Sequence, residues 1–284
     1  PFLNRPKELF SILNILQPTI WSSYWKFAHR YCDAKLDGFG HWNFDGATNL
    51  TELRTKLEHI MLRRTKQQVL TELPSITKNY LPYLNNDKRL ITSYTDAMTI
   101  AKQTTGNIPN SKRFMQVRQA IGLMKVDAAI ELAEDMLVDS GKIVLFAIHK
   151  AVVSQLESRL SKYGLIKIVG DVPQKERFDL VQKFQSDPDT RVAVISQAGG
   201  EGINLFAANT LVFVEREWNP GKEEQIMGRL HRIGQVNPVT VHYIIAKNTI
   251  DERIHKIIET KSAVLGQVYT FDDIPVYDLL DVGV

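Results

Sequence analysis

The chain has 284 residues, of which 44% are hydrophobic and 24% are charged, and its formal net charge is +3. This composition is typical of globular proteins and excludes the disordered, collagen-like and coiled-coil classes. A chain of this length forms one large domain or two ordinary ones. The mildly basic balance is compatible with nucleic acid but does not by itself indicate it.

Cysteine content and hydropathy indicate an intracellular setting. Cys32 is the only cysteine, which excludes an internal disulfide and favours a reducing compartment. The longest apolar run, Ile143 to Ile148, is far too short to span a membrane, and no signal peptide opens the chain. We expect a nuclear location in a eukaryote and a cytoplasmic one in a bacterium or a viral host, with no membrane partner. Because the chain starts at Pro1, we also expect it to be part of a longer protein.

The first zone, residues 1–140, is predicted to be mostly helical. Pro6 suits the first position of a helix that Pro18 ends, and Asn49 is placed to cap a second helix. Helices are predicted over residues 6–16, 49–61, 114–124 and 126–138, with loops over 39–48 and 104–111.

The second zone, residues 141–270, alternates strands and helices. Its first strand, IVLFAI, is continuously apolar, as buried parallel strands are. The alternation predicts an α/β fold, a parallel sheet with helices on both faces, followed by a tail over residues 271–284. Strands are predicted over residues 143–148, 166–169, 191–196, 210–215 and 239–245, and helices over 152–163, 174–185, 222–233 and 249–265.

The segment QIMGRLHRIGQ, residues 225–235, carries two arginines near the end of a predicted helix. On a helix, Gln225, Arg229 and Arg232 stand at i, i+4 and i+7 and share one face. Two guanidinium groups on one face suit a polyphosphate, which they can bind bidentately. A solvated basic face is the alternative that the spacing leaves open.

The segment SQAGGEGINL, residues 196–205, directly follows a predicted strand. Parallel α/β sheets bind ligands at the carboxyl ends of their strands. Glycines at such a point allow a ligand to approach backbone N–H groups closely. The alternative is a tight turn that needs glycine only for its dihedral angles.

The segment 196–205 resembles motif V of superfamily-two helicases, and the segment 225–235, which follows it in the chain, resembles motif VI. Both have the variant typical of the SWI/SNF-related ATPases. Other stretches resemble the same family. IVLFAIHK (143–150) resembles its motif IV, and EWNP (217–220) resembles its W-N-P element. LRRTK (62–66), with Leu73 and Pro74 after it, resembles its LRRTK…LP stretch. The first six residues resemble the stretch just after motif III, and the similarity extends to about Leu265. RYCDAK (30–35) is similar to the annealing-helicase branch.

The resemblance implies a RecA-like helicase C-terminal lobe, preceded by a helical region, and ATP with Mg²⁺ as cofactors. Arg232 would be the arginine finger that reaches the γ-phosphate, with Arg229 beside it and Gln225 ordering the same site. For Trp218, the alternative to a nucleic-acid contact is an aromatic residue packed in the core. For Arg63, Arg64 and Lys66, the alternative is a solvated basic turn. Cofactor contacts are implied for Gly200, Glu201 and Gly202, and nucleic-acid contacts for Asn204, His149, Lys150, Ser196, Trp218, Arg63, Arg64 and Lys66.

Two parts of an ATPase site are not found in the sequence. No G-x-x-x-x-G-K-[ST] loop is present, and DERIH, residues 251–255, is interpreted as helix N-terminal acids rather than a Mg²⁺-binding box. We therefore expect the chain to begin after motif III, to need a first RecA-like lobe of the same protein as its partner, and to be inactive alone. His29, Cys32 and Asp33 lack a zinc spacing, so no metal ligand is predicted.

The predicted function is that of the C-terminal half of an ATP-dependent translocase or helicase on double-stranded or branched DNA, in fork remodelling, repair or annealing. One alternative is a DNA-binding or protein-interaction module without catalytic activity. Another is a different α/β nucleotide-binding protein, such as a glycosyltransferase that uses the GGEG loop. Salt-dependent DNA binding by the isolated chain, with an intact protein whose ATPase does not depend on Arg232, would favour the first alternative. Binding of a nucleotide sugar would favour the second.

Overall fold

The computed structural model describes residues 6–36, 40–44, 46–61, 70, 72–102, 111–139, 141–197 and 202–267. These residues belong to two compact units. The first comprises residues 6–36, 40–44, 46–61, 219–221 and 256–267, and the second comprises 70, 72–102, 111–139, 141–197, 202–218 and 222–255.

The first unit is built from short helices and a two-stranded ribbon. A 3-10 turn over Pro6–Glu8 leads into the first helix, which ends before Pro18, as predicted. The elements are α1 (Leu9–Leu16), α2 (Tyr24–Tyr31), the antiparallel strands β1 (Lys35–Leu36) and β2 (Trp42–Asn43), and α3 (Leu50–Leu57). Its core comprises Leu9, Leu13, Trp21, Phe27, Ala28, Tyr31, Cys32, Leu53 and Leu57.

Asn49 precedes α3 but does not cap it in the predicted way. The residue has a φ of +50°, and its side chain makes no cap bond to the helix. Its amide instead donates to the carbonyl oxygen of Arg30 at 2.8 Å. The predicted loop over 39–48 likewise contains the short strand β2. Both differences arise because this stretch packs on α2 rather than acting as a free connection.

The second unit contains a six-stranded sheet in which every strand pairing is parallel. The strand order is β3-β8-β7-β4-β6-β5. The strands are β3 (Ile76–Tyr83), β4 (Ile143–Phe146), β5 (Leu165–Ile168), β6 (Val192–Ile195), β7 (Thr210–Phe213) and β8 (Val239–Ala246). The helices are α4 (Lys88–Lys102), α5 (Ser111–Met124), α6 (Val126–Asp139), α7 (Lys150–Leu160) and α8 (Gln174–Ser186). Two more helices, α9 (Pro220–Met227) and α10 (Ile250–Gln267), contribute their residues 222–227 and 250–255 to this unit.

Helices cover both faces of the sheet, which confirms the predicted α/β layering. Residues of α6 and α7, such as Ala133 and Leu156, form one core with Leu145 of β4. Residues of α8 and α9, such as Phe184 and Met227, belong to the opposite core. Alternate side chains of one strand reach opposite faces, so each strand contributes to both cores. None of the described helices is long and apolar enough to cross a membrane.

The sheet takes its first strand from the zone that was predicted to be mostly helical. β3 pairs along its whole length with β8, from Ile76 opposite Val239 to Tyr83 opposite Ala246. It lies at the sheet edge, where Pro82 is tolerated because one side of the strand needs no ladder donor. Because β3 contains polar residues and a proline, its sequence does not show the apolar pattern typical of a strand. The lobe therefore includes residues well before position 141.

A buried ion pair joins α10 to the junction of α5 and α6. The Lys125 side chain is 1% exposed, and its Nζ donates to Asp251 Oδ2 at 2.8 Å and to the Ile244 carbonyl oxygen at 3.2 Å. Asp251 also accepts from the N–H of Ala246. Thr249 caps α10 as predicted, since its Oγ1 accepts from the N–H of Asp251 at 3.1 Å. Asp251 is thus the first-turn acid that was predicted, held in the interior.

We expect Lys125→Met to destabilise the chain by about 3–5 kcal/mol, because it leaves the Asp251 carboxylate buried without its cation. Urea unfolding followed by circular dichroism measures the change. Lys162→Met is the matched control, since Lys162 pairs with Glu134 at the surface and its loss should leave the unfolding midpoint almost unchanged. Equal midpoints for the two variants would contradict the structural role of the buried pair.

Candidate functional site

The parallel sheet brings three of the predicted segments to one edge. Phe146 at the end of β4 pairs with Ile195 of β6 and with Phe213 of β7, so these three strands end at the same level. His149 and Lys150 follow β4, Ser196 follows β6, and the stretch that ends at Trp218 follows β7. Ligands of open α/β sheets bind at this carboxyl edge.

The predicted helix over 222–233 is wrong at its carboxyl end. α9 ends at Met227, and residues 228–235, which we call the arginine segment, continue as turns. Their backbone bonds are irregular: the N–H of Arg229 donates to the Ile226 carbonyl, and that of Gln235 to the Arg232 carbonyl. Gly228 and Gly234 are poor helix residues, and Gly234 has a φ of +102°, which no helix contains.

The two arginines therefore do not share a helix face with Gln225. Gln225 is exposed on α9, Arg229 is half-buried, and Arg232 is exposed beyond the helix end. Arg232 Nη1 donates to Asn204 Oδ1 at 2.5 Å. The N–H of Leu205 donates to the Arg229 carbonyl oxygen at 2.8 Å. The structure thus brings together the two segments that carry the family resemblance, although the predicted helical geometry is absent.

Residues 202–208, which we call the glycine segment, run beside the arginine segment. Gly202 has a φ of +74°, and a Cβ atom there would meet no described atom within 4 Å. The backbone conformation therefore requires glycine at this position, and the residues that the structure describes leave space beside it. Gly200 and Glu201 lie outside the described residues, so their predicted contacts stay predictions.

His149 is buried and bonded within the protein, which does not fit the predicted contact with a nucleic-acid backbone. The residue is 8% exposed, and its Nδ1 donates to Glu215 Oε1 at 2.5 Å. Glu215 Oε2 accepts from the backbone N–H groups of Ile148 and His149 at 2.7 and 2.9 Å. One carboxylate thus holds the turn between β4 and α7. No bond to His149 Nε2 is found among the described residues.

Burial alone would raise the pKa of Glu215, but the hydrogen bonds from the His149 ring and the backbone outweigh it and lower that pKa below the usual range. The carboxylate is therefore held in its charged form. Spacing in the sequence could not reveal this pair, because its members lie 66 residues apart.

Other predicted residues are distributed around the same edge. Lys150 begins α7 with its side chain exposed, and its Nζ lies 2.5 Å from Asp171 Oδ2. Trp218 is half-buried and packs edge-to-face on Phe114, with ring centroids 5.8 Å apart. Ser196 is half-buried at the end of β6. Arg63, Arg64 and Lys66 lie outside the described residues.

The charged residues directly after β7 form a buried network that the sequence analysis missed. The Arg216 guanidinium donates to both carboxylate oxygens of Glu223, at 3.0 and 2.7 Å, and lies 4.4 Å from the Tyr243 ring centroid. Its Nη1 also lies 2.5 Å from His255 Nδ1. Charged residues immediately after an apolar strand were the available signal. The network orients the start of α9, which precedes the arginine segment.

The described residues fit part of an ATP site. The exposed Arg232 guanidinium can pair with a phosphate oxygen. Among the residues that the structure describes, no three His, Cys, Asp or Glu side chains are grouped to hold a metal ion. These residues therefore offer a phosphate contact but no cage for Mg²⁺.

Family models match consecutive parts of the chain. The SNF2-related domain matches residues 1–128, and the helicase conserved C-terminal domain matches residues 124–234. The chain thus carries an SNF2-related domain and a helicase conserved C-terminal domain. The family's RecA-like fold accounts for the parallel sheet and its layers.

Curated relatives of this SNF2-related chain include annealing helicases. It is 37% identical to the mouse (Mus musculus) "DNA annealing helicase and endonuclease ZRANB3", over 94% of the chain and 26% of that protein. It is 34% identical to the Xenopus laevis "SWI/SNF-related matrix-associated actin-dependent regulator of chromatin subfamily A-like protein 1", over 94% of the chain and 28% of that protein. The chain thus spans about a quarter of the length of these relatives.

Solved structures share the fold of this SNF2-related chain. The Sulfolobus solfataricus SWI2/SNF2 ATPase core domain has a TM-score of 0.59 and 22% identity, over 98% of this chain and 63% of that one. The same core in complex with dsDNA has a TM-score of 0.57 and 24% identity, over 90% of this chain and 58% of that one.

We expect Glu215→Gln to destabilise this SNF2-related chain by about 1–3 kcal/mol at pH 7, because an amide cannot accept from all three donors. The folded-state pKa of Glu215 lies below its ordinary value of 4.5, so its contribution is present above pH 4.5 and is lost as the pH falls through the folded-state pKa. The difference between wild type and variant should therefore shrink at acid pH.

Urea unfolding at pH 7 and at pH 4 measures this difference, and Glu131→Gln, at an exposed position on α6, is the control. A difference that stays constant or grows as the pH falls would show that the carboxylate charge is not what stabilises the turn.

Proposed function

We propose that this chain is the C-terminal half of an ATP-dependent translocase that acts on double-stranded or branched DNA, within a longer protein. The observation that carries the proposal is the position of Arg232. Its guanidinium is exposed beyond the end of α9 and touches Asn204 of the glycine segment. A phosphate-binding cation and a candidate nucleic-acid contact are thereby adjacent.

Arg232 would act as the arginine finger in this proposal. The transition state of phosphoryl transfer spreads negative charge over the transferred group, and an added guanidinium stabilises it. Arg229 would lie beside the finger and Gln225 would order the site from α9. ATP and Mg²⁺ would be bound mainly by a first RecA-like lobe, since the described residues group no ligands for the ion.

DNA would bind to this chain through its phosphates. Lys150 after β4 and Asn204 of the glycine segment offer a cation and an amide, and Trp218 stands close in sequence to the end of β7. Contacts of this kind give sequence-independent and salt-sensitive binding. A solved SWI2/SNF2 core with the same fold has been described with dsDNA, which supports DNA as the partner.

A first lobe as partner is supported by the surface of the first unit. Ile15 of α1 is 79% exposed, and Ile12, Leu16 and Ile20 are exposed beside it. Grouped apolar side chains at a surface mark sites of contact with other polypeptide. The curated relatives are about four times longer than the part that this chain matches, which is long enough to include such a lobe.

The task of the whole protein would be fork remodelling, repair or annealing. Relatives described as a DNA annealing helicase and endonuclease and as a regulator of chromatin support this class of task. In a eukaryote such work takes place in the nucleus.

In the full-length protein, Arg232→Ala should reduce DNA-stimulated ATP turnover by about 10³–10⁵-fold, because the charge developing on the transferred phosphoryl group is no longer neutralised. DNA affinity should change by no more than a few-fold. Phosphate release in the presence of duplex DNA, and fluorescence anisotropy for binding, measure the two quantities.

Arg159→Ala is the matched control, because Arg159 is exposed on α7 and pairs with Asp127. If Arg232→Ala retained wild-type turnover, the finger assignment would be wrong. If the full-length wild type bound DNA in a salt-dependent way but hydrolysed no ATP, the chain would be a non-catalytic DNA-binding module.

The isolated 284-residue chain should release no phosphate from ATP above background, with or without DNA, because its sequence has no Walker-type loop for the β- and γ-phosphates. Phosphate release by the purified chain, with the full-length protein as positive control, tests this. Robust DNA-stimulated turnover by the isolated chain would refute it.

A further inference from the structure

The arginine segment is held in place by side-chain bonds rather than by a helix. Because α9 ends at Met227, the backbone that carries Arg229 and Arg232 continues as turns, in which bonds to the third and fourth preceding residues alternate irregularly. The segment therefore needs other anchors if its guanidinium groups are to keep a defined position. Gln235, the last residue of the segment, is 6% exposed and supplies such anchors.

The Gln235 amide is bonded on both sides. Its Nε2 donates to the carbonyl oxygens of Phe206 and Ala208, at 3.1 and 2.8 Å. Its Oε1 accepts from the N–H of Asn237 at 3.0 Å, and its own N–H donates to the Arg232 carbonyl oxygen at 2.9 Å. One side chain thus ties the backbone next to Arg232 to the carboxyl end of the glycine segment.

Further contacts, nearer to the arginines, also connect the glycine segment to the arginine segment. The N–H of Leu205 donates to the Arg229 carbonyl, and Asn204 accepts from Arg232 itself. The Phe206 ring lies against Gly234, where a Cβ atom would stand 3.5 Å from the ring. The glycine and arginine segments are therefore in contact at several points, from Arg229 near the start of the arginine segment to the buried Gln235 at its end, with the exposed Arg232 between them.

We propose that Gln235 is a positioning residue for the arginine finger. It touches neither nucleotide nor DNA, and it acts by fixing the arginine segment against the glycine segment so that Arg232 meets the triphosphate in one orientation. This inference rests on the proposed function. A shift of about 1 Å in a catalytic group costs on the order of 10²-fold in rate, so the loss of this anchor should be visible in turnover.

The test uses Gln235→Met in the full-length protein, because methionine keeps the volume and removes the amide donors. DNA-stimulated kcat should fall by about 10- to 100-fold, since the guanidinium is misplaced rather than lost. The KM for ATP and the Kd for DNA should each stay within about three-fold of wild type, because neither ligand is contacted by residue 235. Gln182→Met, at an exposed position on α8, is the matched control.

A double-mutant cycle separates positioning from a general structural defect. If Gln235 acts through Arg232, the double variant Gln235→Met with Arg232→Ala should be no slower than Arg232→Ala alone. Effects that multiply would overturn the proposal, as would an unchanged kcat in Gln235→Met. Both results leave the proposed function intact, whereas an inactive wild type or a fully active Arg232→Ala would remove that function itself.

Gln235→Glu is the second variant, since it keeps the shape of the side chain and turns a carboxylate oxygen toward the Phe206 and Ala208 carbonyls. It should lower kcat at least as much as Gln235→Met and show the same lack of additivity with Arg232→Ala. Thermal unfolding and gel filtration verify the fold of both variants. If neither forms a folded protein, Gln235 is a core residue only, and the positioning proposal is wrong.

Discussion

Six strands run in the same direction, and this constraint determines what the second unit can do. Parallel strands place all of their carboxyl ends at one edge, so the turns after β4, β6 and β7 meet although they are far apart in the sequence. Each turn carries polar residues, and each is supported by the apolar layers on the two faces of the sheet. The sheet fixes where the turns lie, and the side chains of the turns form the candidate contacts with ligands.

That arrangement buries charges near the edge of the sheet, and partners compensate several of them. Glu215 accepts from three donors, and Arg216 is matched by both oxygens of Glu223. Lys125 and Asp251 pair in the same interior. Buried charges are retained in proteins when such partners satisfy them, and removing one partner is costly. The network orients α7 and α9, which carry the exposed Lys150 and Gln225.

Much of this organisation was predictable from local patterns. β4 and β6 are short, continuously apolar runs, and Thr249 stands where a cap is expected, so their prediction needed no distant information. The arginine segment was mispredicted because Gln225, Arg229 and Arg232 have helical spacing, while Gly228 and Gly234 favour turns. β3 was missed because Pro82 and its polar neighbours resemble a loop. The pairing of His149 with Glu215, and the anchoring by Gln235, depend on tertiary contact and leave no signal in local spacing.

The edge strand has a consequence for how this lobe can be isolated. β8 is almost entirely buried, and one of its flanks is covered by β3, which lies more than 150 residues earlier in the chain. The matched helicase C-terminal domain begins at residue 124, after β3. A piece trimmed to that boundary would leave an apolar flank with unpaired backbone groups, a template for intermolecular sheet growth. The unit that contains the complete sheet is thus longer than the matched helicase C-terminal domain. During synthesis, β3 cannot form its hydrogen bonds to β8 until β8 has been made.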